Sequence, residues 1–164
     1  MSEGDQLTGR QLFEFLNEVG IINQLAMNMF ARVLPEGVHV SHFFILNHMV
    51  RMGDGRTPQR LASAMQVTKA TMTHSLSVLR QRGFISIGRN AQDGRSKLVH
   101  LTEEGRRFRE AAIANLDAAT AGIAEQLDAA TLADALPVLR HLRAVLDRAR
   151  DNVDQTGAEK SVRD

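Results

Sequence analysis

TPQRLASAMQVTKATMTHSLSVLRQRGFISIGRNAQDGRSKLVHLT, residues 57–102, is the stretch that decides the fold. Thr57-Pro58 reads as a helix N-cap followed by proline at the first helical position, where a missing amide costs nothing. Leu61-Ala62 then turn inward on a short helix. Thr68 offers the next cap, and Met72, Leu76 and Leu79 form an i, i+4, i+7 stripe that stops at Gly83, a residue suited to the left-handed helix terminus. Two helices are therefore joined by a tight turn around Met65 to Val67. After Gly83 the apolar period drops from helical spacing to alternation. Phe84, Ile85 and Ile87 lead into Arg89-Asn90, Gln92-Asp93-Gly94-Arg95 turns the chain, and Lys97-Leu98-Val99-His100-Leu101 returns as a second strand. Asp93-Gly94 is a strong hairpin dipeptide.

Working outward, Thr8 and Gln11 make a capping box ahead of Leu12, Leu16, Val19, Ile22, Ala26, Met29, Phe30 and Val33, a long helix stopped by Pro35 and Gly37. A second helix from near Ser41 carries Phe44, Ile45, His48, Met49 and Met52 until Gly53-Asp54-Gly55, with too few polar positions to be exposed. On the other side Thr102 caps a helix whose first turn holds Glu103 and Glu104 at the positive dipole end. It is expected to run to about Leu127. A last helix from about Ala129 presents Leu132, Leu136, Leu139, Leu142, Val145 and Leu146, with Pro137 expected to kink it or loosen one turn. Residues from Asp151 on are polar and expected to fray.

Helix, helix, turn, helix, hairpin is the winged helix-turn-helix plan, in which the helix after the turn enters a major groove and the hairpin reaches toward a minor groove. The predicted class is mainly α with a small β-hairpin wing (α+β). Residues 1–36 form an N-terminal dimerisation helix, 38–102 the winged domain, 103–150 the C-terminal dimerisation helices and 151–164 a tail.

Charge points to the same partner. From Gly55 to Gln92 the chain runs for 38 residues without a carboxylate, where composition alone would place about four. Residues 51–100 hold nine Lys/Arg against two acids, a net of +7, concealed by acidic flanks in a chain of overall charge +1. A basic middle of this kind suits a polyanion such as nucleic acid. Taking Met72 as inward, Ala70, Thr73, His74, Ser77 and Gln81 face away from the core and include no acid. A merely solvated helix face usually alternates Glu and Lys to gain i, i+4 pairs. Thr and Ser bond bases or phosphates, His74 suits a guanine edge, and Ala70 or a threonine methyl suits a thymine methyl. Lys69, near the helix N-terminus, adds phosphate attraction.

The same run resembles the core of the multiple-antibiotic-resistance regulator (MarR) family of bacterial transcription factors. The resemblance rests on Asp93-x-Arg95 followed by Leu101-Thr102, on Leu79 to Gly83 closing the recognition helix, and on Leu61-Ala62 before it; it is close over residues 38–104. It implies that Arg95 enters the minor groove at the wing tip with Asp93 buttressing it, and that Thr68, Lys69, Ala70, Thr71, Thr73, His74 and Ser75 read the major groove, with Ser77 and Lys97 alongside. A guanidinium suits a narrow, negative groove, and a neighbouring carboxylate can fix its orientation. The sequence departs from the family at His74, where arginine is frequent, and at Val78, where a basic or polar residue is frequent.

The apolar stripes of the flanking helices exceed what a winged domain of about 60 residues can cover, which predicts a homodimer and a pseudo-palindromic operator on double-stranded DNA. The resemblance also implies a repressor released by a small aromatic or carboxylate effector. Met27, Met29, Phe30, Phe43, Phe44, Met49 and Met52 are candidates for lining its cleft, although such stripes are more often core. His39, His42 and His48 cluster on the second helix, and His39-x-x-His42 is a zinc-like spacing with no cysteine or nearby acid to complete a tetrahedron. A metal-responsive regulator and a winged module that binds protein instead of DNA are the alternatives. The chain has no cysteine, which removes disulfides and thiolate chemistry. No nucleophile elbow, phosphate loop or paired-carboxylate motif stands out, so neither an enzyme nor a resident cofactor is expected. No apolar run of about 18 residues and no leader are present, and a cytoplasmic location is the expectation.

Overall fold

The computed structural model describes residues 7–89 and 96–160, residues 150–160 by backbone alone. The order of elements is α1 (Gly9–Val33), α2 (Val40–Met52), α3 (Pro58–Ala64), α4 (Lys69–Gln81), β1 (Ile85–Arg89), β2 (Lys97–Leu101), α5 (Glu103–Ala124) and α6 (Ala129–Lys160). The chain divides into two compact units, Met1–Ala119 and Thr120–Asp164.

Short-range chemistry sets each boundary in the first unit. Thr8 and Gln11 close their capping box in both directions, at 3.2 and 2.9 Å. Thr57 Oγ1 accepts from the Arg60 amide, Thr68 Oγ1 from Thr71 and Thr102 Oγ1 from Gly105, each satisfying an orphan donor of the first turn. At the end of α4, Phe84 N–H donates to Leu79 O and Gly83 N–H to Arg80 O, both at 3.0 Å. This is a Schellman closure, and it requires the φ of +73° that Gly83 supplies.

The main core lies between α2, α3, α4 and the hairpin. Leu46, Met49, Leu61, Met72, Leu79 and Val99 are all but sealed from solvent, and Phe84 stacks on Phe108 of α5 with centroids 4.4 Å apart. A smaller cluster, Phe30, Phe43 and Ala112, joins α1, α2 and α5. Antiparallel pairing of β1 and β2 places Ile85 opposite Leu101 and Ile87 opposite Val99. A third segment joins this ladder at Arg56, whose carbonyl accepts from the Val99 amide at 2.8 Å. That pairing was not visible in the sequence.

In the second unit α5 ends at Ala124, three residues short of the expected Leu127, because the Glu125, Gln126 and Leu127 amides close a turn before Asp128 caps α6 through Thr131. Helix α6 continues through Pro137 and on to Lys160. Once a helix is nucleated each further residue adds a bond, so polar residues can extend it. Among the described residues no helix is long and apolar enough to cross a membrane.

Candidate nucleic-acid interface

Helix α4 turns a mixed face outward because Met72, Ser75, Leu76 and Leu79 fill its inner stripe. Lys69, Ala70, Thr71, Thr73, His74 and Gln81 are exposed and Ser77 is half-buried. Three hydroxyls near the start of α4 are already engaged locally: Thr68 Oγ1 lies 2.9 Å from Thr71 Oγ1, and Thr73 Oγ1 donates to Lys69 O at 2.8 Å. These bonds fix rotamers while leaving oxygen lone pairs outward.

Ser75 departs from the expectation. It stands three residues after Met72, within the buried stripe, and is 7% exposed, so it faces inward and not toward a groove. It lines a cavity of about 370 Å³ between α2 and the α3–α4 turn, together with Phe44, His48, Arg51, Met65 and Met72.

Between the recognition helix and the hairpin runs a cleft of about 300 Å³ lined by Pro58, Thr73, Leu76, Ser77, Arg80, Ile87 and Lys97. It brings the predicted residues Thr73, Ser77 and Lys97 together with Arg80, which the sequence reading counted as a charge and not as a site residue. The signal for Arg80 was present, since it follows Ser77 by three and so shares its face. Asp93 and Arg95 lie outside the described residues.

The histidines are placed by packing. His39 N–H donates to His42 Nδ1 at 3.1 Å, closing a reach-back cap on α2, and His42 is 2% exposed. The i, i+3 spacing that suggested zinc thus serves the helix terminus. Burial pushes the His42 pKa below its ordinary 6.5, with His39 and His74 adding to the effect. Burial lowers His48 as well, helped by Arg56 and Arg51. Among the described residues no group of three or more His, Cys, Asp or Glu could hold a metal ion. Phe30, Phe43 and Met49, offered as cleft residues, are core at 3, 5 and 1% exposure; Phe44 alone of that set reaches the 370 Å³ cavity.

A recognition helix in register with an antiparallel wing, set on a three-helix core, defines a winged helix-turn-helix protein. Residues 36–96 match the family model described as MarR family, and the winged segment is a MarR-family domain. Over about four-fifths of its length the chain has the fold of solved MarR-family transcriptional regulators. It is similar to a MarR-family transcriptional regulator from Rhodococcus sp. RHA1, with 22% identity over 82% of this chain and 94% of that one and a TM-score of 0.65. CouR from Rhodococcus jostii RHA1, solved bound to p-coumaroyl-CoA, is 24% identical over 82% of this chain and 93% of its own, with a TM-score of 0.60. BpsR from Bordetella bronchiseptica, whose DNA binding is regulated by 6-hydroxynicotinic acid, is 20% identical over 80% and 98%, with a TM-score of 0.62. No curated protein matches the chain.

Proposed function

We propose that the protein is a homodimeric repressor that binds a pseudo-palindromic operator on double-stranded DNA in a bacterial cytoplasm and is released by a small aromatic or carboxylate effector. The observation that carries this reading is the carboxylate-free outer face of α4, which runs into a cleft flanked by Arg80 and Lys97. In this reading Thr68, Lys69, Ala70, Thr71, Thr73, His74 and Ser77 meet the major groove, and Arg80 and Lys97 hold the phosphate strand that enters the cleft. Arg95 enters the minor groove with Asp93 aiming it. Dimerisation is supported by apolar side chains left in solvent on α1, where Phe13, Ile22 and Leu25 are 69, 63 and 60% exposed, and on α6 at Leu132, Leu136 and Leu146. Residues 1–36 and 103–150 supply that interface, and 38–102 the DNA-binding domain.

The effector site in this reading is the 370 Å³ cavity. Phe44 and Met65 offer apolar surface to a ring, and Arg51 offers a guanidinium to a carboxylate. The p-coumaroyl-CoA bound to CouR and the 6-hydroxynicotinic acid that regulates DNA binding by BpsR support the class.

The test is duplex binding by fluorescence anisotropy, using fragments selected from genomic DNA, between 50 and 200 mM salt. Lys69, Arg80, Arg95 and Lys97 amount to four DNA-directed cations per protomer, each displacing counterions. A dimer then neutralises about eight phosphates, and the log–log slope is about −7. A slope near zero, or no retained duplex at low salt, refutes DNA binding and favours a protein partner.

A further inference from the structure

Asp54 is one of only two acids in residues 51–100. A carboxylate within so basic a segment opposes the attraction that its neighbours create for a polyanion, so its presence calls for a structural use. The geometry supplies one. Asp54 Oδ1 accepts the Leu101 amide of β2 at 2.9 Å, across 47 residues of sequence, and Oδ2 lies 3.7 Å from His100 Nδ1. Two residues on, the Arg56 carbonyl takes the Val99 amide. Gly53 and Gly55 flank the aspartate at φ +93° and +70°, and a Cβ on Gly55 would stand 3.4 Å from His100 Cε1. The turn is therefore shaped to bring this one carboxylate against the outer edge of the wing's return strand. The guanidinium of Arg56 folds back on Met52 O and Gly53 O, bracing the same turn from its other side.

We propose that Asp54 is a positioning residue for DNA recognition: it seats β2 against the α2–α3 turn and so sets the stance of the hairpin that carries Lys97 and Arg95. Two consecutive alternate amides of β2, Val99 and Leu101, face away from β1 and are taken by this turn, so the wing is a three-segment ladder and not a free two-stranded ribbon. An isolated hairpin is marginal in water. A third segment removes the twisting freedom that would otherwise have to be frozen on binding.

The inference rests on the DNA-binding reading above, and two independent measurements separate them. Amide exchange on the full-length protein reports the seat without DNA: Asp54→Ala should expose the Leu101 amide to fast exchange, while Asp54→Asn, which keeps an acceptor oxygen, should protect it nearly as well as wild type. Unchanged Leu101 protection in Asp54→Ala overturns the proposal whatever the DNA result. Operator affinity is then measured for wild type, Asp54→Ala, Arg95→Ala and the double variant, at a temperature where all are folded. Asp54→Ala is expected to bind about tenfold more weakly, with Asp54→Asn restoring most of the loss. A smaller further loss should appear in the Arg95→Ala background, because an aspartate that acts through the hairpin then has only Lys97 left to aim. An equal tenfold loss in both backgrounds overturns the positioning role. If wild type binds no duplex, the functional reading fails and with it the role in DNA recognition, while exchange at Leu101 still decides whether Asp54 seats the strand.

Discussion

Replacing Gly105 by alanine should destabilise the junction between the wing and α5, although alanine is the better helix former. A Cβ built there meets Phe84 O at 2.2 Å, Leu101 Cδ1 at 2.9 Å and the Phe84 carbonyl carbon at 3.0 Å. The leucine methyl can rotate away; the carbonyl cannot, because it accepts the Thr102 amide at 3.1 Å. A carbon beside an oxygen needs roughly 1 Å more than the backbone allows, so Phe84 and the first turn of α5 must separate. Overpacking of this kind costs about 1–3 kcal/mol. Losing the Thr102–Phe84 bond adds about 1 kcal/mol. The propensity gain of alanine over glycine returns about 1 kcal/mol. A net loss of about 1–3 kcal/mol remains, or roughly 2–12 °C in Tm for a chain of this size. Urea unfolding followed by circular dichroism measures it. Gly122→Ala is the matched control, since it stands in the same helix with nothing within 4 Å, and it should gain stability. If Gly105→Ala proves as stable as wild type, the close approach of α5 to Phe84 is wrong.

Acid should weaken the fold. His42 and His48 have folded pKa values below 6.5, so the unfolded chain binds their protons first. Their contribution is complete above about 6.5 and is lost as pH falls from there toward the lowered folded values. A Tm profile from pH 7.5 to 5 should fall, and His42→Asn, whose side-chain oxygen can replace Nδ1 as the cap acceptor, should flatten it; an identical profile would remove His42 as the cause. Leu25→Glu places a charge in the exposed apolar face of α1 and should shift sedimentation from dimer toward monomer, an unchanged dimer placing the interface elsewhere. Arg51→Ala should weaken a carboxylate-bearing aromatic ligand by about tenfold in calorimetry, the size of one charge-assisted bond, and leave its uncharged amide analogue unaffected.

Local chemistry was legible and long-range pairing was not. Thr8, Thr57 and Thr68 announce their helices because a cap bonds within three residues, and Gly83 announces a terminus because only φ > 0 closes it. His39-x-x-His42 shows the limit of spacing: i, i+3 on a helix suits a zinc pair and a reach-back cap equally, and burial of His42 decides between them. Ser75 was assigned from its place in a segment, although its offset of three from Met72 already put it on the inner stripe. Serine is small enough to sit there without disturbing the core. Asp54 was invisible as a working residue because its partners, Leu101 and His100, lie more than 45 positions away. No periodicity encodes a contact of that range.

The misplaced serine also connects the two halves of the proposed function. Ser75 and Met72 occupy the inner stripe of α4 and the wall of the 370 Å³ cavity at once, so in the proposed function one helix offers its outer face to DNA and its inner face to a ligand. Packed interfaces shift between discrete arrangements and do not yield continuously, so a ring that fills the cavity favours whichever seat of α4 makes room for it. If that seat fits DNA less well, linkage requires that operator DNA weaken the ligand by the same factor that the ligand weakens DNA. Equal factors would locate the coupling in equilibrium affinities, and Met72→Leu, which reshapes the shared wall without touching DNA, should change both factors together.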